Sequence, residues 1–323
     1  MALVPLLTAL VRPLVPRRLR PLVEQKTYMA AALARGGRGT FAAVGQAWRP
    51  HAAVAALAGA ALLAPRTRVL AAGLAAAGVA AGAPVARRAA RRPAAAPGEG
   101  DVTVLTANVR HGRADTGALA ALVADERPDF VVLPEAGADF RDKLMPLLAG
   151  LGYRAWVAAD DGRRDGYDVT LLVGERAGDV RVVRGRGMRL PHLEATGGIL
   201  GERTLYAVHP TAPMSRRSTT WWHDELALVR SWTTGPVAPL VVGDFNATFD
   251  HPALQAALGG CRSAAEGTGR WLVGTFPAGA PRWLGIQIDH VLVPAGAETT
   301  RFEVVDLAGT DHRAVLARVR LPG

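Results

Sequence analysis

From Asp101 to Gly323 the 323-residue sequence predicts an α/β or α+β domain built on sheets, not a helical bundle. Short apolar segments rich in Val and Leu recur between turn signals, and segments with helical spacing lie among them. The composition, 50% apolar and 20% charged, is that of a folded chain. In order, VTVLTAN, FVVLPE, VTLLVGE, TLYAVHP, PLVVGDFN, IDHVLVP and HRAVLARVRL read as strands, and TGALAALVADE and WWHDELALVRSW as helices. No repeat at a solenoid period stands out.

Upstream the chain changes character. Residues 1–51 alternate short apolar runs with Pro, Arg and Gly, without the order of a secretory signal, and read as a basic, weakly structured or membrane-surface segment. Residues 52–92 contain two alanine-rich uncharged runs, 52–64 and 69–86, separated by PRTR. The second has 18 residues, which at about 1.5 Å per residue makes roughly 27 Å, near the lower limit for crossing a bilayer. One or two short transmembrane helices are therefore expected, followed by a linker at 93–101 and a globular domain over 102–323.

Charge divides along the same boundary. Residues 1–100 hold 14 Arg and Lys against 2 acids, whereas 101–323 hold 24 against 26. A domain that grips duplex DNA ordinarily carries its own basic footprint, and the downstream domain has no net one. The single cysteine, Cys261, excludes an internal disulfide and any multi-cysteine metal site.

The strands share a pattern: polar residues at their ends. VTVLTAN ends on Asn108, FVVLPE on Glu135, TLYAVHP on His209 and PLVVGDFN on Asp244 and Asn246; Asp289 and His290 lead into one strand, Asp311 and His312 into another. A strand-terminal Asp or Asn is commonly a turn residue, but so many acids, amides and imidazoles are hard to explain as turns alone. Alternation along the backbone points Asp244 and Asn246 one way and Phe245 into the packing. The set has the parts for metal-assisted phosphoester hydrolysis. Carboxylate and amide oxygens suit a hard cation such as Mg²⁺, a further carboxylate can deprotonate water, and an Asp-supported imidazole can meet developing phosphorane charge. HExxH, GxxxxGK[ST] and GxSxG are all absent.

At these residues the sequence resembles the endonuclease/exonuclease/phosphatase superfamily, over about residues 101–321. TAN, LPEA, AVHP, GDFNA, IDHV and TDHRAV occur in the family's order. The resemblance implies a two-sheet α/β sandwich with outer helices, here preceded by an N-terminal helical, membrane-associated segment. It implies Glu135 as principal Mg²⁺ ligand, Mn²⁺ being the alternative, with Asn108 and Asp311 beside the metal. Asp244 would activate water, Asn246 would position water and phosphate, His312 supported by Asp289 would contact the scissile phosphate, and His209 would bind a phosphate oxygen. His290 is given a structural role. His111, Arg110 and Arg113 lie on a loop at the rim. Thr310 replaces the usual Ser before the Asp-His pair, and Asp168 in GYDVTLLV is either a site residue or a turn acid.

The superfamily spans nucleases and phosphatases, so catalytic residues do not name the substrate. HPTAP before a Trp-rich helix, GDFNAT, and TFPAG before IDHVLV look like a membrane-anchored actinobacterial branch associated with teicoplanin-type glycopeptide resistance. This favours a lipid-linked or cell-envelope phosphate substrate, with Arg216 and Arg217 on its phosphates and Trp221 and Trp222 toward an apolar tail. A DNA or RNA nuclease with a basic N-terminal handle is the second reading, and a catalytically dead membrane-tethered binding module the third. The branch favours an extracytoplasmic domain, whereas the arginines after residue 86 favour the cytoplasm. No obligate protein partner is implied.

Overall fold

In the computed structural model, residues 38–91, 95–158 and 165–322 are described. Three helices come first: α1 (Arg38–Ala47), α2 (Arg49–Leu63) and α3 (Arg68–Ala89). The domain beyond consists of β1 (Val102–Thr106), α4 (Thr116–Glu126), β2 (Phe130–Pro134), α5 (Ala138–Leu144), β3 (Arg154–Val157), β4 (Val169–Val173), β5 (Val180–Arg184), β6 (Leu193–Gly197), β7 (Thr204–Val208), α6 (Arg216–Thr233), β8 (Leu240–Asp244), α7 (Pro252–Ala257), β9 (Cys261–Ser263), β10 (Asp289–Pro294), β11 (Glu298–Val305) and β12 (Ala314–Arg320).

The strands form two six-stranded sheets, ordered β11-β12-β1-β2-β4-β3 and β5-β6-β7-β8-β10-β9. Within each, one central pair is parallel, β1 with β2 and β7 with β8, and the other pairs are antiparallel. The expected sandwich is what the chain forms. Strand β2 shows why. Phe130 and Val132 pack between the sheets with Val104, Leu171, Ala207 and Val242, while Val131 and Leu133 point outward against Leu119 and Val123 of α4 and Phe140 and Leu144 of α5. A strand covered on both faces must be apolar at every position, which is how it reads in sequence. Burying each such side chain contributes roughly 1.5–3 kcal/mol.

Helix α6 begins with a capping box between Ser215 and Ser218. Its Trp222 is buried, and the indole Nε1 donates to the carbonyl of Phe245 at 3.1 Å, fixing the backbone between Asp244 and Asn246. Next to His312, just before β12, Arg313 fixes another loop. Its buried guanidinium donates to the carbonyls of Gly274 (2.9 Å), Ala278 (2.6 Å) and Ala280 (2.6 Å), and to Asp306. Replacing Arg313 with Met leaves those carbonyls unpaired. The expected loss is about 3 kcal/mol in urea unfolding, since each stranded buried acceptor costs about 1–3 kcal/mol.

Helices α2 and α3 form an antiparallel pair in which Gly78 sits against Leu57 and Gly82 against Ala53. Helix α3 has 22 residues and is long and apolar enough to cross a membrane; α2, with 15, is shorter. Val54, Leu62, Val69 and Val79 on this pair are exposed. Residues 38–51, expected in a weakly structured or membrane-surface stretch, form α1 and the first turn of α2; residues 1–37 of that stretch, residue 92 and residues 93–94 of the linker lie outside the described residues.

The helices also touch the domain directly. Arg88 donates to the carbonyl of Phe249 and to Asp250, His251 Nε2 donates to the carbonyl of Ala43 at 2.8 Å, and Thr40 bonds Thr219 at 2.9 Å. Phe249 to His251 belong to the loop that continues from Asn246. The apolar helices and the loop after β8 are therefore built on one another.

Candidate active site

Strand β8 delivers the first acid. Gly243, at φ 148°, has no side chain because a Cβ there would lie 1.9 Å from the carbonyl oxygen of Val208 on the parallel neighbour β7. That close approach brings His209, which follows β7, beside Asp244. In the antiparallel pair β8–β10, Asp244 lies directly opposite Asp289. Two carboxylates opposite one another repel, so something else must hold them together.

His312 does so. Its Nδ1 donates to Asp289 Oδ2 at 2.9 Å, and its Nε2 lies 3.8 Å from Asp244 Oδ2. His209 Nε2 is 3.8 Å from the same Asp244 oxygen and 3.9 Å from Glu135 Oε1. Asn108 Nδ2 donates to Glu135 Oε1 and to Asp244 Oδ2, both at 3.0 Å, linking the two acids. The sandwich thus gathers Asn108, Glu135, His209, Asp244, Asn246, Asp289 and His312 at the edge where β1, β2, β7 and β8 end and β10 and β12 begin.

Burial and charge set the protonation of this cluster. Burial, reinforced by the Asp289 charge, raises the Asp244 carboxyl to about 6, against the opposing pull of His312 and His209. For His312, burial alone would disfavour the cation, but Asp289 and Asp244 outweigh it and raise the imidazole to about 10. At neutral pH His312 is therefore an imidazolium, fit to donate a proton, and Asp244 is a carboxylate with an elevated affinity for one. Burial opposes ionisation of Glu135 as well, yet His209, the Asn108 hydrogen bond, His111 and His312 bring its carboxyl below the usual range.

Backbone strain concentrates here. Among the described residues Glu135 (φ 62°), Asn246 (φ 49°), Arg110 (φ 50°) and His111 (φ 53°) adopt left-handed conformations that non-glycine residues rarely use. The Asn246 conformation corrects the simple alternation read from GDFN. Strand β8 stops at Asp244, Phe245 is buried as expected, and Asn246 turns back so that its N–H donates to Asp244 Oδ1 at 2.8 Å while its Nδ2 donates to the Pro210 carbonyl at 2.9 Å. The His111 N–H donates to Glu135 Oε2 at 2.9 Å, and its ring occupies space that a side chain at Gly166 would fill.

Asp244, Asp289 and His312 each present a ligand atom, all within 4.8 Å of one another, so this buried set could hold a metal ion. The chemistry fits. Two carboxylates and an imidazole suit a divalent cation, and Asp289 Oδ1 is buried with no hydrogen-bond partner among the described residues.

A sequence profile of the Endonuclease/Exonuclease/phosphatase family matches residues 105–312, the span holding every residue of this cluster. The chain belongs to that family. Membership suggests metal-dependent phosphoesterase activity. Solved structures agree on the fold. A mannosyl-6-phosphatase from Bacteroides thetaiotaomicron VPI-5482 superposes with a TM-score of 0.52 at 15% identity, covering 68% of this chain and 100% of that one. A family member from Beutenbergia cavernae DSM 12333 gives 0.51 at 20% identity, covering 69% and 72%. D. rerio TDP2 complexed with a single-strand DNA product gives 0.50 at 12% identity, covering 68% and 99%. Comparison with curated protein sequences gave no match.

Several positions stand apart from the central cluster. Asp311 sits at the rim, 3.4 Å from Arg110 Nε. His290 is a packing residue: buried between Phe245 and Phe249, it bonds the Ala247 carbonyl at 2.8 Å, and burial lowers its imidazole to about 4. Asp168 is buried, and His209 Nδ1 has no hydrogen-bond partner among the described residues. The two tryptophans do not act together. Consecutive helical residues diverge by about 100°, so Trp222 enters the core while Trp221 remains half-buried outside. Two hydroxyls brace the site: that of Thr310, singled out in the sequence, and that of Thr275, which was not. Thr275 accepts the Asp289 N–H at 3.2 Å, and Thr310 donates to the Asn108 carbonyl at 2.7 Å. Threonines in loops carry no distinguishing signal until their partners are known.

Proposed function

We propose that this protein is a membrane-associated, Mg²⁺-dependent phosphoester hydrolase acting on a lipid-linked or cell-envelope phosphate by attack of water on phosphorus. The observation that carries the membrane half of the reading is the bonding of Arg88 and Ala43 to Asp250, Phe249 and His251, which sets a helix of membrane-crossing length against the loop leaving the active site. The cell-envelope substrate rests on the branch resemblance of HPTAP, GDFNAT and TFPAG; the family match itself stops at the family. An extracytoplasmic domain accords with that resemblance.

Glu135, with Asn108 and with Asp311 at the rim, is assigned the cation by the family resemblance; in the buried set, His312 Nδ1 and Asp289 Oδ2 are committed to one another. Bound there, Mg²⁺ supplies Lewis-acid polarisation of a phosphoryl oxygen and offsets negative charge. Asp244 takes the proton of the attacking water, Asn246 orients it, and the His312 imidazolium, held by Asp289, donates to the phosphoryl group or leaving oxygen. His209 is assigned a phosphate oxygen.

Two measurements test the reading. The full-length chain is expected in the membrane fraction, released by detergent and not by salt. Purified in detergent with Mg²⁺, it should hydrolyse a polyprenyl phosphate or diphosphate faster than plasmid or single-stranded DNA. Faster DNA cleavage would favour the nuclease reading, and no metal-dependent turnover of any substrate the binding-module reading.

A further inference from the structure

The face of α6 beside the catalytic loops carries Arg217, Trp221 and Glu225 at four-residue intervals, so the three point the same way. Glu225 is buried, and backbone groups occupy both its oxygens. Oε1 accepts the Arg189 N–H at 2.8 Å and Oε2 the Thr211 N–H at 2.6 Å. Thr211 follows His209 and Pro210, and Pro210 accepts the Asn246 amide. One carboxylate therefore pulls the loop bearing Arg189 against the loop that bears a catalytic histidine.

The guanidinium carbons of Arg189 and Arg217 lie 4.2 and 4.6 Å from the centroid of the same Trp221 ring. Both arginines are exposed, and neither forms an ion pair with an acid among the described residues. The two cations are closer than the screening length of about 10 Å at 0.1 M salt, so they repel. Stacking on an indole returns only about 0.5–1 kcal/mol at exposed sites. Glu225 bonds only the backbone N–H groups of Arg189 and Thr211, so its carboxylate hydrogen-bonds neither guanidinium. Two guanidiniums stacked on one indole and bonded to no carboxylate are suited to an oxyanion group.

We propose that Arg189, Arg217 and Trp221 form a second anion subsite, which takes a phosphoryl group of the substrate other than the one hydrolysed. Trp221 holds both arginines in place, lowering the ordering cost of binding. The assignment rests on the phosphoester reading above and extends it to substrates carrying more than one phosphate.

Binding without turnover tests it. The full-length protein in detergent, free of divalent cations, is titrated calorimetrically with inorganic pyrophosphate and with methyl phosphate. Arg189→Ala and Arg217→Ala are each expected to weaken pyrophosphate binding about 10-fold, and the double variant more, with a smaller loss for methyl phosphate and unchanged melting temperatures. Arg→Lys variants should recover only part of the affinity, because lysine keeps the charge but not the planar fork. Undiminished pyrophosphate affinity in the double variant, or equal losses for both ligands, would overturn the subsite. A double variant that loses affinity only for a single-stranded oligonucleotide would also overturn it, assigning the pair to a nucleic-acid backbone. Arginine-dependent pyrophosphate binding by a protein that turns over no lipid phosphate would support the subsite while removing the membrane-substrate reading.

Discussion

Replacing His312 with alanine is expected to reduce kcat on any phosphoester substrate by about 10³- to 10⁴-fold, near the upper end for a positioned acid. The change removes the imidazolium that bridges Asp244 and Asp289, which lie opposite each other in the sheet. Asp289→Asn should also lower activity, and the double variant should be little worse than His312→Ala alone, because the two residues act as one unit. Circular dichroism and thermal melting on each variant separate loss of chemistry from loss of fold. Additive losses in the double variant would show that Asp289 acts independently of the imidazole.

Asp244→Asn carries the second large effect, about 10³-fold in kcat, and a change in the shape of the pH profile. Burial and Asp289 raise the Asp244 carboxyl to about 6. Its catalytic form is the carboxylate, so wild-type activity should rise as pH increases through that region and plateau above it. The imidazolium of His312, held up to about 10 by Asp289 and Asp244 against the effect of burial, sets the opposite limb, with activity falling as that proton is lost. Asparagine at 244 cannot titrate. The acidic limb should vanish from the residual activity, and the alkaline limb should shift to lower pH because one of the charges stabilising the imidazolium is gone. An acidic limb that survives in Asp244→Asn would belong to another carboxyl.

Much of the fold was legible in the sequence because the central strands are covered on both faces, making FVVLP and PLVV unbroken apolar runs. Strands β5 (VRVVR) and β11 (ETTRFEVV) were not legible. They are partly exposed and interleave charged with apolar residues, and only pairing with β6 and β12 identifies them as strands. The clustering of Asn108, Glu135, His209, Asp244, Asp289 and His312 was readable because polar residues follow apolar strands in sequence and the sandwich brings those strand ends together. The loop after β8 was less so. The left-handed turn at Asn246 depends on hydrogen bonds to Asp244 and Pro210, and the tie from Arg88 to Asp250 joins residues 162 positions apart. The arginine that joins Arg217 on Trp221 was not legible for a related reason. Arg216 is its neighbour in sequence, but Arg189 arrives from a distant loop through Glu225.

The central claim is that water attacks phosphorus at the Asp244–His312 centre with the help of a divalent cation. Hydrolysis of a phosphodiester in ¹⁸O-labelled water, followed by mass spectrometry of both products, tests it most directly. The predicted result is one labelled oxygen in the phosphoryl product and none in the alcohol, with turnover abolished by a chelator and by His312→Ala. Label in the alcohol, or equal turnover in chelator and Mg²⁺, would contradict it.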